Sequence, residues 1–225
     1  MPIVTIDDFQ INGSDEIVDG LLKQPAITAK LEERWDDGIM NMADFATSES
    51  ATKWIKYAND DLASLLYPNI CRTLSDSYGA FEYVNTVDTF SPLQRVTIRG
   101  LGSLAMYFAA SKIKSKYSGH DVMMYFRWES TTEAHWQTLF VISEKRNITD
   151  ERKALDEVLS ILEKEGLGEG KKFLSGKEEP HMGDLAVFGT LRAVEGLPTH
   201  TEFVQNRGGT IPDWYERMTA KVQWK

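Results

Sequence analysis

FLSGKEEPHMGDLAVFGTLRAVEGL, residues 173–197, is the stretch on which the fold turns. A Gly-Lys-Glu-Glu-Pro turn runs directly into an apolar helix. Asp184 is the one carboxylate between Pro180 and Val194. If His181 is the N-cap, Asp184 stands at N3, from which a carboxylate reaches back to the N-cap N–H. That capping box gives Asp184 a role in folding. Catalysis is the alternative, but the box already accounts for a carboxylate at this spacing. The weaker half of the box is His181, since N-caps favour a small side-chain oxygen. On the folding reading, Ala at 184 costs about 0.5–2 kcal/mol if the box is exposed, and more if it is buried.

Helical patterning extends outward from this stretch. In SESATKWIKYANDDLASLLY, Ser48 is a cap, and Ile55, Ala58, Leu62, Leu65 and Leu66 recur at 3/4 spacing. Pro68 is expected to break that helix. A second follows in ICRTLSDSYGAFEYV, with Ile70, Leu74, Tyr78 and Phe81 on one stripe. A third starts at Pro92, a first-turn residue, and runs to Tyr117. Its centre is small: Gly100, Gly102, Ser103, Ala105 and Ala109 allow close backbone approach. NITDERKALDEVLSILEKEG carries the stripe Leu155, Val158, Leu159 and Leu162 and ends at Gly166. IPDWYERMTAKVQW closes the chain as a helix.

The N-terminus differs. IVTI and FQI flank Asp7 and Asp8 and predict a short hairpin. NGSDEIVDGLLKQP then reads as a helix capped by Ser14 and stopped by Pro25. Two strands and one helix cannot bury a core of their own. Residues 26–47 read as a linker with one or two helical turns. Residues 118–146 have no clear pattern.

Composition narrows the function classes. The net charge of −9 over 225 residues argues against nucleic acid and against an anionic membrane surface. One cysteine, Cys71, excludes an internal disulfide or a CxxC site. The four histidines show no metal-ligand spacing, and His120 and His135 fall in the unpatterned segment. The longest apolar run, GLGSLAMYFAAS, is too short to span a bilayer. These features predict a soluble cytoplasmic protein with no transmembrane segment, compatible with peripheral membrane association.

Five blocks in order, YPNICRTLSDSYGAFEYV, GSLAMYFAASKIKSKY, NITDERKALDEV, the opening stretch and IPDWYERM, resemble the prostaglandin E synthase 2 family, which is glutathione transferase-like. The resemblance covers most of residues 48–220, with residues 118–146 an apparent insertion. It implies a mainly α fold: a glutathione transferase C-terminal-like helical domain over 48–225, behind a partial thioredoxin-like β-β-α segment over 1–25 and the linker 26–47. Met1-Pro2 stands where the family has Val and its cis-proline. Asn12-Gly13-Ser14 stands where it has Asn-Asp-Ser. The expectation is a family member lacking the first β-α-β unit, which carries the redox cysteines.

The resemblance also implies glutathione contacts at Met1, Gly13 and Ser14, the first through backbone. Gly13 replaces the acidic residue expected to pair the glutamyl amine, and for Ser14 helix capping competes with ligand contact. The implied chemistry is glutathione-linked isomerisation or thiol transfer on a hydrophobic substrate, within a homodimer. The resemblance allows haem bound through glutathione, which no residue here supports independently. No catalytic residue and no metal ligand is assigned, so the chain alone is expected to be inactive. The alternative is a non-enzymatic helical binding or dimerisation module. Cys71 reads as a packed thiol, Tyr57, Tyr67, Tyr107 and Tyr215 as core aromatics first and phenol donors second, and Trp54 and Trp214 as packing. Lys112, Lys114 and Lys116 with Arg99 read as a solvated face.

Overall fold

The computed structural model describes residues 3–6, 9–34, 40–117, 151–168 and 170–222. Met1, Trp35, His120, His135 and the whole of 118–146 lie outside them. Strands β1 (Ile3–Ile6) and β2 (Phe9–Asn12) pair antiparallel, with Ile3 opposite Asn12 and Ile6 opposite Phe9. Helix α1 (Ser14–Leu22) follows at once.

The first departure from the sequence reading concerns two caps. The N-cap of α1 is Gly13, not Ser14, which is the first helical residue. Gly13 holds φ 101°, a conformation open to glycine and strained for other residues. Nor does Pro25 stop α1, which ends at Leu22 with Lys23 as its C-cap. Pro25 instead opens α2 (Pro25–Arg34), where its missing N–H is one that a first helical turn leaves unpaired anyway. The expected linker is therefore helical to Arg34. A π-helical turn, Ala43–Thr47, leads into the main body.

That body begins with α3 (Glu49–Lys56). Ser48 caps it as expected, its Oγ accepting from Ala51 N at 3.2 Å. A π-helical stretch, Tyr57–Leu62, joins α3 to α4 (Ala63–Ile70). Pro68 lies inside α4 rather than breaking it. The proline is two residues from the helix end, and the Asn69 side-chain amide donates to Leu65 O at 2.8 Å, adding a bond beside the one Pro68 cannot make. Cys71 is the C-cap of α4, not part of a second helix.

Helix α5 is shorter than expected, Leu74–Ala80, because Thr73 and Asp76 form a complete capping box that fixes its start. A 3-10 turn, Glu82–Thr86, precedes the long α6 (Pro92–Tyr117). Helix α7 (Glu151–Ile161) ends in a π-helical turn, Leu162–Gly166. Then come α8 (Met182–Arg192), the short α9 (Pro198–His200) with a π-helical turn Thr201–Gln205, and α10 (Ile211–Val222).

One core joins these helices. Leu62 and Leu65, the α7 stripe of Leu155, Val158 and Leu159, Leu191 of α8, and Ile211, Trp214 and Met218 of α10 are all fully buried. Each such aliphatic side chain contributes about 1.5–3 kcal/mol. Helix α3 packs closely on α8, α4 on α7, and α8 on α10. Polar ties fix these crossings: Tyr57 donates to Val158 O at 2.9 Å, and Thr199 to Asn69 O at 3.1 Å.

Candidate functional site

Asp184 sits at the centre of the body, with no exposed surface. His181 is the N-cap of α8, with extended φ and ψ, and Asp184 is its N3 residue. Asp184 Oδ2 accepts from His181 N at 3.1 Å and from Ser175 N at 3.1 Å. Oδ1 accepts from Leu174 N at 2.7 Å and from Trp214 Nε1 at 3.0 Å. One carboxylate thereby ties the 173–176 turn, the start of α8, and α10.

The imidazole completes the box in its own way. His181 Nδ1 lies 3.2 Å from Asp184 N and 2.7 Å from Asp184 Oδ2. One ring nitrogen cannot accept and donate at once. The Asp184 N–H is a fixed donor aimed at Nδ1, so Nδ1 accepts as the cap and the ring hydrogen lies on Nε2. His181 Nε2 then donates to Ser50 Oγ at 3.1 Å, and Ser50 Oγ donates to Leu174 O at 3.1 Å.

Ser50, His181 and Asp184 thus follow the order of a nucleophile triad. The surroundings assign them another task. His181 is buried, and the Ser50 hydroxyl donates to a backbone carbonyl that closes the turn. The three residues clamp α3, the turn and α8 together. Gly183 belongs to the same clamp. A Cβ there would lie 2.6 Å from Trp54 Cβ and 3.1 Å from Ala51 O, so glycine lets α8 meet α3. The sequence reading found Asp184 and His181 by spacing. It missed Ser50, Gly183 and the Trp214 indole, whose only sequence signal is a polar-edged aromatic in an apolar stripe.

Of the residues expected to hold glutathione, Gly13 and Ser14 lie elsewhere, at the opening of α1. Gly13 O accepts from Ile17 N at 3.1 Å, which closes the first helical turn. The N–H groups of that turn have no partner within the helix, which suits a carboxylate. A Cβ at position 13 would overlap the carboxylate of Glu16. Glu16 is exposed and occupies the space that a side chain at 13 would enter.

The remaining candidates are spread through the body. Cys71 is fully buried. Tyr57 is buried and donates to backbone. Tyr67 donates to the Met106 sulfur, and burial, with a smaller effect of Cys71, raises its phenol above the ordinary value. Arg99 is paired with Glu82 and lies over the Tyr78 ring at 4.2 Å rather than belonging to an open basic face. Among the described residues no three His, Cys, Asp or Glu side chains gather as metal ligands.

A buried pair lies at the end of α9. His200 meets the Tyr215 ring edge-on at 4.9 Å, and neither of its nitrogens finds a partner among the described residues. Burial lowers the His200 value, partly offset by Glu195. Burial, then Glu195, pushes the Tyr215 phenol up to about 12. The folded state therefore favours neutral His200. Its contribution to stability is full above the ordinary value of 6.5 and falls as pH drops below 6.5 through the folded value. Thermal unfolding followed from neutral pH down to about pH 5 should show this loss, and His200→Phe should flatten it.

No family model matches the chain. Prostaglandin E synthase 2 of Mus musculus is 25% identical over 171 residues, 76% of this chain and 36% of that protein. Prostaglandin E synthase 2 of Danio rerio is 27% identical over 171 residues, 76% of this chain and 37% of that protein. The chain spans a little over a third of the length of the curated relatives it matches. No described helix is long and apolar enough to cross a membrane. With its mostly helical body behind a two-stranded hairpin, the chain is similar to prostaglandin E synthase 2 over 76% of its length.

Proposed function

We propose that this chain forms the helical scaffold of a glutathione-linked enzyme of the prostaglandin E synthase 2 type, acting on a hydrophobic substrate as a homodimer. In this reading residues 1–25 are a partial thioredoxin-like segment, 26–47 a partly helical linker, and 48–225 the glutathione transferase-like domain. The chain performs no thiol chemistry by itself. The observation that carries this point is the complete burial of Cys71, since a nucleophilic thiolate needs access and a depressed pKa.

Glutathione binds at the opening of α1. The amides of the first turn, with Gly13 and Ser14, receive the glutamyl carboxylate. Met1 adds a backbone contact. Glu16 pairs the glutamyl amine in place of the acidic residue that Gly13 displaces, because its carboxylate already lies over Gly13. A charge-assisted contact of this kind is worth about 1.5–3 kcal/mol.

Calorimetric titration of glutathione into the chain tests this. Binding should appear at millimolar ligand, and Glu16→Gln should weaken it about 10-fold or more. No heat from the wild type, or equal affinity in the variant, contradicts the assignment. The second reading, a non-enzymatic dimerisation module, is favoured by one observation: the exposed face of α6 carries large apolar side chains and no charge from Leu93 to Phe108.

A further inference from the structure

Residues 197–207 run between two glycines in the left-handed region, Gly196 at φ 83° and Gly209 at φ 105°. Between them lie the three-residue α9 and the π-helical turn Thr201–Gln205, both too short to keep their shape without packing. Side chains fasten this strap to the body. Thr199 Oγ1 donates to Asn69 O of α4 at 3.1 Å. Glu202 pairs with Arg152 of α7, whose guanidinium also lies 4.9 Å from the Phe203 ring centre. Arg207 pairs with Asp156 and Glu163. Against α10 the fit is open: a cavity of about 320 Å³ is lined by Val204 and Gln205 on one side and by Pro212, Tyr215 and Thr219 on the other.

His200 sits on the strap with 1% of its surface exposed. Its ring packs edge-on against Tyr215, which also walls the cavity, and neither nitrogen has a partner among the described residues. A neutral imidazole offers one N–H and one acceptor, whereas an imidazolium offers two N–H donors and a full charge. Burying that charge unpaired is far costlier than burying the neutral ring. The groups around it do little to offset the cost. From α10 comes the Tyr215 phenol, which stays neutral because burial, then Glu195, pushes it up to about 12. The turn after α8 brings Glu195, half exposed and 3.7 Å from Arg192. Asn69 of α4 carries no charge. On the strap itself Glu202 and Arg207 already have their partners. Of these groups Glu195 favours the proton, and burial outweighs it.

We propose that residues 197–207 form a hinged strap that swings off the body when His200 takes a proton, turning at Gly196 and at Gly208-Gly209 while α7 and α8 stay packed. The proton is taken easily in the open strap and opposed in the closed one, so protonation shifts the strap toward open. The opening is local because exposed ion pairs and single hydrogen bonds hold the strap, each worth about 1 kcal/mol. Helices α7 and α8 instead share the fully buried core of Leu155, Val158, Leu159 and Leu191.

Amide hydrogen exchange of the full 225-residue chain tests this, read by mass spectrometry at pH 7.5 and pH 5.0 and corrected for the intrinsic rate at each pH. The Thr201 and Asn206 amides, bonded to Leu197 O and Thr201 O, are reporters within the strap. Peptides over 197–207 should lose protection by at least about 3-fold at pH 5.0. The ceiling is about 30-fold, set by an ordinary histidine value near 6.5 in the open strap. Peptides over Leu155–Leu162 and Asp184–Leu191 should keep their protection. His200→Gln, which takes no proton, should abolish the loss in the strap.

Equal losses in α7 and α8 would mean that acid unfolds the whole body, and would overturn the strap. No loss over 197–207, or the same loss in His200→Gln, overturns the role of His200. If His200→Gln fails to fold, Glu195→Gln decides. It removes the half-exposed charge that favours the proton on the closed strap, so the loss at pH 5.0 should grow. An equal or smaller loss overturns the proposal.

Discussion

Replacing Asp184 with Ala should cost about 3–5 kcal/mol, the largest effect of any single change considered for this protein. The carboxylate has no exposed surface and takes hydrogen bonds from Leu174 N, Ser175 N, His181 N and Trp214 Nε1. Alanine leaves those four donors without their acceptor. An unsatisfied buried donor costs about 1–3 kcal/mol, and relaxation recovers part of the sum. At about 2–4 °C per kcal/mol for a chain of this size, the melting temperature should fall by about 6–20 °C. Asp184→Asn should cost less, since its oxygen can still accept from Leu174 and Trp214, and only the Ser175 and His181 N–H groups lose their acceptor. Pairing Asp184→Ala with Trp214→Phe separates the carboxylate's local role from its reach to α10. The double variant should lose less than the sum of the singles, because Phe removes a donor that Ala had stranded.

Gly183→Val should be the second large loss, about 3 kcal/mol. A Cβ at 183 would fall 2.6 Å from Trp54 Cβ, 2.9 Å from the His181 ring and 3.1 Å from Ala51 O. Two of those atoms lie close to or on the backbone of α3, so no side-chain rotation relieves the overlap. Overpacking costs typically about 1–3 kcal/mol, and the upper end applies where two helices would have to separate. Gly189, one turn or more along the same helix, is the control. A Cβ there meets nothing within 4 Å. Gly189→Ala should therefore stabilise the protein by about 0.5–1 kcal/mol through helix propensity. Denaturant unfolding of the two variants reads both signs in one experiment, and equal losses would contradict the close-approach account.

The sequence was most legible where one local rule governs a position. Ser48 caps α3, Pro92 opens α6, and the 3/4 stripe of α7 is buried, because each depends on neighbours within a turn or two. The Asp184 box was readable for the same reason. Its energy was not, because three of its four ties reach beyond the box, to Leu174, Ser175 and Trp214, the last 30 positions away.

Both prolines that were read as stops lie within helices, and their physics is positional. Pro25 opens a helix at the one place where a lost N–H is harmless, and Pro68 sits near an end with an added side-chain bond beside it. Periodicity located the second-helix stripe but not its environment. A patterned apolar face says that something must cover it, not that the same chain does. The glutathione residues were legible only through family likeness. Gly13 shows why: its side-chain space is filled by Glu16, a relation that needs the turn's φ of 101° to exist.

The central functional claim is that glutathione meets the chain at the first turn of α1. Amide NMR of the labelled chain, titrated with glutathione, tests it most directly. The account predicts saturable shifts centred on Gly13, Ser14 and Glu16, reduced in Glu16→Gln, with the Asp184 clamp unmoved. Shifts centred elsewhere, or none at millimolar ligand, would contradict it.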